Sequence, residues 1–319
     1  MPPEYAVRFR RNAQKSEHCT AGRHECLPYS DFPTFPKQAY KHQFAGQLKN
    51  APARGRAERS AMERIDNQKP SGLNTNGLRA WGMVFLVLGM VSSGILQRRV
   101  LRLDQVSALE LLEAMQTSGT VMILATAALV LQALETCAMP IFAFLLAEGA
   151  AHTGSLPKYL QRVPLVALVS EIPYNLAMSG SLLDMSSRNP VFGPAIGLAM
   201  LWFYGRVEGK GFSRVLLRGV ITLAAMGWCL MLGVSHGVAL VLVLAVLWAL
   251  RGKPQFRPMA GAMAALVCSL GSMFYMASPM GFLVVHFYNG EKGPDNRLVN
   301  YLAYPVLLTA LWAAGVLLF

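Results

Sequence analysis

The sequence predicts an all-α integral membrane protein, a bundle of about eight transmembrane helices behind a disordered N-terminal tail. Two observations carry that prediction. Hydrophobic residues make up 54% of the 319-residue chain and charged residues only 14%, against about a quarter charged in soluble domains. From Leu78 onward, apolar runs of membrane-crossing length also follow one another with short connections. A hydrocarbon core about 30 Å thick takes about 20 apolar residues as helix, and helix is the form that satisfies every backbone group within one segment.

Residues 1–75 read as a polar, basic, disordered tail. They hold 13 Lys and Arg against 7 acids and show no sustained period of 2 or 3.6. Such a stretch buries too little apolar surface to offset its conformational entropy. It reads as no signal peptide, because the first long apolar run begins only near Leu78. Met62, shortly before that run, is an alternative translation start.

The multi-pass domain, 76–319, divides into predicted crossings at 78–97, 120–147, 159–179, 191–205, 214–232, 235–250, 259–288 and 298–318. Pro140 in the second and Pro279 with Gly281 in the seventh predict kinks. The short fourth run suits a tilted or partial crossing. Val106–Met115 places Leu109, Leu112 and Met115 on one side and Glu110 and Glu113 on the other, the pattern of a helix lying in the interface. Lys and Arg mark cytoplasmic loops. Lys158 with Arg162, Arg206 with Lys210 and Arg214, and Arg251 with Lys253 and Arg257 predict a bacterial cytoplasmic-membrane protein with both termini inside. The loops near 180–190, 233–235 and 289–297 would lie outside, and Arg98, Arg99 and Arg102 go against this arrangement.

The net charge of +12 is that of a basic tail plus cytoplasmic loops. No basic folded face or nucleic-acid module accompanies it, so no nucleic-acid partner is expected. Cys19, Cys26, Cys137, Cys229 and Cys268 show no CxxC or paired spacing, and neither a metal site nor a disulfide framework is expected.

Ionisable side chains within apolar segments are costly and are functional candidates for that reason. Glu135 precedes Pro140. Glu148 and His152, four apart, share a helical face. Arg162 enters the third apolar run and Glu171 lies deep in it. His236 and His286 fall near the outer ends of the sixth and seventh. For each, a buried ion pair or a side chain snorkelling to the interface is the alternative to a functional role.

The stretch "PIFAFLLAEGAAHTGSLPKYLQRVPLVALVSEIPYNLAMSG…SSRNPVFG" resembles TraX proteins, named for the conjugative-pilin acetylase. That family reads approximately P-I-F-x-F-L-L-x-E-G, T, Y-x-x-R, S-E-I-P and N-x-x-F. The matching residues here are Pro140, Ile141, Phe142, Phe144, Glu148, Gly149, Thr153, Tyr159, Arg162, Ser170, Glu171, Pro173, Asn189 and Phe192. A weaker likeness, "NYLAYPVLL", stands near the C-terminus, and the resemblance runs from Leu78 to the end of the chain. Departures accompany it. Gly89 and Met90 stand where the family carries an Asp-His pair in the first crossing, Thr136 where it has Arg, and Leu307 where it has His.

The resemblance implies a membrane-embedded acyltransferase of the transmembrane acyltransferase superfamily. It would move an acetyl group from cytoplasmic acetyl-CoA to an amine or hydroxyl of a pilin-like protein or envelope molecule, with no metal. Such a reaction needs cations for the CoA phosphates, and Lys158 and Arg162 are placed for them. It also needs a base, for which His152 with Glu148 is the candidate. Glu171, Arg188 and Asn189 would position the acceptor, with Glu171 counted among the catalytic candidates. Relatives in the superfamily use a first-helix His in catalysis, and this chain lacks it. A catalytically inactive scaffold or a small-molecule transporter is the alternative. For a transporter, intramembrane Glu135 and Glu171 speak in favour, and the absence of an internal repeat speaks against.

Overall fold

A computed structural model describes residues 72–184, 188–208, 211–294 and 297–318. The expectations for the tail and for Met62 lie outside the described residues, apart from the last few positions before Thr75. The described part is helical throughout, and three of its segments are long and apolar enough to cross a membrane: Thr75–Val100, Gly119–His152 and Phe212–Met231.

The first crossing starts as α1 (Thr75–Met90), where the Asn74 side chain accepts a hydrogen bond from Gly77 N at 2.9 Å and so satisfies one free amide of the first turn. It continues as a π-helical stretch, Val91–Val100. The short helix expected at Val106–Met115 forms as α2 (Ala108–Thr117), closed by a capping box between Ser107 and Glu110. Its Leu109 and Leu112 are exposed, as a helix resting on lipid requires. The hydrogen bond from the Ser107 backbone, joined by that of its hydroxyl, holds the Glu110 carboxyl below the usual carboxylate range.

The second predicted crossing is two helices, α3 (Gly119–Glu135) and α4 (Ala138–His152). Pro140 has no N–H for the carbonyl of Thr136, and the helix breaks at Thr136–Cys137, one turn upstream. There follow α5 (Leu156–Met178), with Pro157 in its first turn, α6 (Phe192–Tyr204), α7 (Phe212–Met231) and α8 (Gly237–Ala249). At 1.5 Å per residue, α6 and α8 are about 20 Å long, shorter than the hydrocarbon core. Their N-terminal ends meet inside the protein, where an added Cβ on Gly193 would lie 3.3 Å from the Cα of Gly237. Small residues permit this backbone approach, which drives helix association where lipid is as apolar as leucine. Val215, Leu216, Leu223 and Leu230 of α7 face outward.

The segment expected to cross at 259–288 does not cross. It is a re-entrant hairpin of α9 (Arg257–Val267), 3-10 turns between Cys268 and Met280, and α10 (Gly281–His286). Both of its ends pack on one ring. The Arg257 guanidinium lies 5.0 Å from the Phe144 centroid and the Tyr288 ring 5.4 Å from it. Its tip is held at the α3–α4 break, where Thr136 Oγ1 donates to Phe274 O at 3.1 Å and Cys137 Sγ to Ala277 O at 3.2 Å. The apolar run is long enough to cross, but Gly271, Pro279 and Gly281 split it, and broken backbone at membrane depth must be enclosed by protein.

The hairpin sets the face from which the last helix leaves. Leu73 pairs with Tyr288, and Asn76 donates to Pro294 O, so the 288–294 loop shares the face on which α1 begins. The last helix, α11 (Arg297–Leu318), therefore leaves from that face and runs parallel to the first crossing. Arg99 at the end of the first crossing bonds Gly315 O near the end of α11. Among the described residues α1 and α11 thus begin at one face and run to the other, and three segments, not eight, have the length and apolarity of a crossing. Arg98 and Arg99, which went against the charge pattern, cap helix ends: Arg98 Nη1 donates to Met178 O at 2.8 Å, at the C-terminus of α5. Cations are favoured there whichever face they occupy.

A labelling experiment tests this topology. With the native cysteines replaced, single cysteines at Gly154, Gly252 and Glu291 should all react, or all be protected, towards an impermeant thiol reagent. One at Gln105 should show the opposite behaviour. Glu291→Cys labelling together with Gln105→Cys would restore a full crossing at 259–288.

Candidate functional site

Among the described residues, three polar groupings within the bundle stand out, two of them centred on buried side chains and the third half-buried. The first lies where α1 begins and α4 ends. Glu148 is buried, and its Oε1 accepts from Arg257 Nη1 at 2.5 Å. Arg257, only 4% exposed, also donates through Nε to Leu247 O at 3.1 Å. Low-dielectric burial requires such pairing. Arg162 takes no part in this pair and is exposed on α5, as is Lys158. His152 stays on its own helix: Nδ1 lies 2.9 Å from the Glu148 carbonyl oxygen and 3.8 Å from its carboxylate, with the imidazole largely exposed. The Glu148–Gly149 turn carries the Tyr159 ring against it; a Cβ on Gly149 would lie 3.1 Å from the Tyr159 hydroxyl.

The second grouping sits near mid-depth and unites three expected residues. Glu171 on α5 accepts from Arg188 Nη1 at 3.0 Å and from the Asn189 backbone N–H at 3.3 Å. The fully buried Asn189 side chain donates to Ala167 O at 3.4 Å and accepts from the Tyr304 hydroxyl at 2.9 Å. Asn175, one helical turn beyond Glu171, is 1% exposed, and its carboxamide oxygen has no hydrogen-bond partner. A buried polar atom in that state costs about 1–3 kcal/mol unless a ligand or water meets it.

The third grouping pairs Glu135 with His236 at 3.6 Å. His236 does not stand at an outer helix end as expected, because the turn before α8 lies inside the bundle, level with the α3–α4 break. His286 also moves: it is exposed at the returning end of the hairpin, beside the face where α1 starts.

The motif residues of the N-terminal half and the Tyr-rich C-terminal stretch thus converge on one buried centre. The sequence profile of the TraX protein family matches residues 103–314. This protein belongs to the TraX family. The match covers about two thirds of the chain but starts after the first crossing, so it is narrower than the stretch from Leu78 that the motifs suggested. The crossing left out is the one in which Gly89 and Met90 replace the family's Asp-His pair. No curated protein and no solved structure matches the chain.

In this TraX protein, sequence reasoning missed Arg257 and Tyr304 as site residues. Arg257 read as a loop cation; its signal was Arg followed directly by Pro258 at the start of an apolar run, a charge with little backbone to snorkel along. Tyr304 stood inside the recognised "NYLAYPVLL" but had no partner to suggest its role.

Proposed function

We propose that this protein transfers an acyl group, most simply acetyl, from acyl-CoA to an amine or hydroxyl acceptor such as a pilin-like protein or an envelope molecule. The donor enters at the face where α1 begins, which we assign to the cytoplasm of a bacterial cell. The support is that Lys158 and Arg162, in the first two turns of α5, and Arg206, Arg251 and Lys253, in connections, all belong to that face. The observation carrying the reading is the buried centre of Glu171, Arg188, Asn189 and Tyr304 beside the Asn175 oxygen. An amine or hydroxyl proton is the donor that this oxygen lacks, and Glu171 and Asn189 are fixed in place to orient its owner.

Exposed Lys158 and Arg162 suit the phosphates of CoA. His152 belongs to the same end. With Glu148 taken by Arg257, its exposed ring is better suited to meeting phosphate than to stripping a proton from an acceptor held at depth.

The test is acyl-CoA binding and turnover by purified protein in detergent, with peptide amines and hydroxyl compounds as acceptors. CoA release that requires an acceptor is the expected result, and absence of any CoA binding overturns the reading in favour of a scaffold or transporter. Arg162→Ala should raise the apparent acyl-CoA requirement about fivefold to tenfold, one charge-assisted contact discounted for solvent screening, and leave turnover at saturation unchanged.

A further inference from the structure

The α3–α4 break, the hairpin tip and the turn before α8 meet, and one chain of polar side chains joins them. Glu135 ends α3, and its carboxylate rests on Gly89, where an added Cβ would lie 2.1 Å from it. Glu135 Oε1 faces His236 Nε2 at 3.6 Å. The other ring nitrogen, Nδ1, lies 2.7 Å from the Tyr275 hydroxyl on the hairpin tip, with the two rings edge to face. With the carboxylate facing Nε2–H, Nδ1 is the acceptor and the phenol the donor. A hydroxyl bonded to an imidazole that a carboxylate orients is the arrangement that activates hydroxyls.

Two further observations set this chain apart from an incidental ion pair. His236 has a φ of +58°, left-handed backbone that a non-glycine residue adopts at a cost. Glycine would fit that turn without strain, so the backbone conformation itself does not call for a side chain there. The chain also adjoins the buried centre: Ser235, the preceding residue, bonds the Tyr174 hydroxyl at 3.3 Å, and Tyr174 follows Pro173 and Ile172 from Glu171 on α5.

We infer that Tyr275, His236 and Glu135 form the proton relay that activates the acyl acceptor, an inference that rests on the acyl-transfer reading above. The acceptor's N–H or O–H gives its proton to the Tyr275 oxygen as the phenol proton passes to His236 Nδ1, and Glu135 holds the resulting imidazolium. The freed nitrogen or oxygen forms a bond to the thioester carbonyl carbon, and the C–S bond breaks. The CoA thiolate then takes the proton back through Tyr275, which leaves the relay as it began. No oxidant, reductant or metal enters the balance. Tyr275 is the group that touches the acceptor; His236 and Glu135 act through it.

The decisive variant is His236→Gly, because it removes the imidazole and relieves the strained φ together. It should keep the wild-type melting temperature and acetyl-CoA affinity while losing roughly a hundredfold or more in turnover, the usual contribution of a positioned base. Added imidazole should restore part of that loss, and Tyr275→Phe should lose as much without rescue. His286→Ala, on an exposed histidine at the hairpin's other end, should turn over normally. The assay uses the full chain in detergent with acetyl-CoA and a peptide carrying a free N-terminal amine. Normal turnover by His236→Gly overturns the relay and leaves the acyl-transfer reading standing. Loss of turnover together with melting temperature, without imidazole rescue, also overturns it, by making His236 structural. Failure of the wild type to bind or consume acetyl-CoA is a different result and overturns the acyl-transfer reading, and the relay with it.

Discussion

Arg257→Ala is expected to lower the stability of the folded protein by about 3–5 kcal/mol, the cost of leaving a buried charge without its partner. Glu148 would keep its place on α4 with the Arg257 donor gone, and Leu247 O would lose its bond from Nε. The ring of Phe144 would lose the guanidinium that covers one side of it. A melting curve in detergent measures the loss. The double variant Glu148→Gln with Arg257→Ala should recover a large part of it, because no charge then remains to be solvated. A single variant that melts with the wild type would mean that water already reaches Glu148.

Gly281→Ala is the second large expected effect. A methyl group there would lie 2.3 Å from the carbonyl oxygen of Cys137 and 2.7 Å from the Pro140 ring, and neither neighbour can rotate away. Overpacking of this kind costs about 1–3 kcal/mol where a side chain can yield, and a backbone carbonyl yields less. The hairpin should detach at its tip and break the bonds from Thr136 and Cys137 to Phe274 and Ala277. Protease sensitivity between residues 268 and 280, with α1 to α5 still protected, would report it. Gly89→Ala makes a useful contrast, since its clash is with the Glu135 side chain. It should melt nearer to the wild type while moving the carboxylate away from His236.

The helical class and most of the helices were legible because long apolar runs leave the backbone little choice within lipid. The break near Pro140 was legible for the same local reason, a missing N–H. Whether a run crosses or turns back was not legible. The stretch 259–288 has the length and polarity of a crossing, and only contacts over a hundred residues away, at Thr136, Phe144 and Leu73, reverse it. That one reversal also sets the end of α11 beside Arg99, at the far end of the first crossing. In the candidate site, Glu171 and Asn189 were found because a charged or amide side chain in an apolar run stands out. Their partnership with Tyr304, and that of Glu148 with Arg257, joins segments 115 and 109 positions apart, which no local pattern encodes.

The re-entrant hairpin also dictates an order of assembly. Within the hairpin the carbonyls of Phe274 and Ala277 meet only the amides of Ala277 and Met280, at 3.3 and 3.0 Å, and Thr136 and Cys137 at the α3–α4 break give each a second donor. Alone in lipid the hairpin would lose those second donors, and the breaks between its short turns would face hydrocarbon, where an unsatisfied backbone group costs several kcal/mol. It therefore cannot settle as it leaves the ribosome but must wait for α3 and α4, which are synthesised well before it, and dock on them from the face where it entered. Insertion of this protein is thus a two-stage process, with a scaffold of early helices that receives a late, folded-back wedge. A lesion at Thr136 or Cys137 would surface as a defect in residues made more than a hundred positions later.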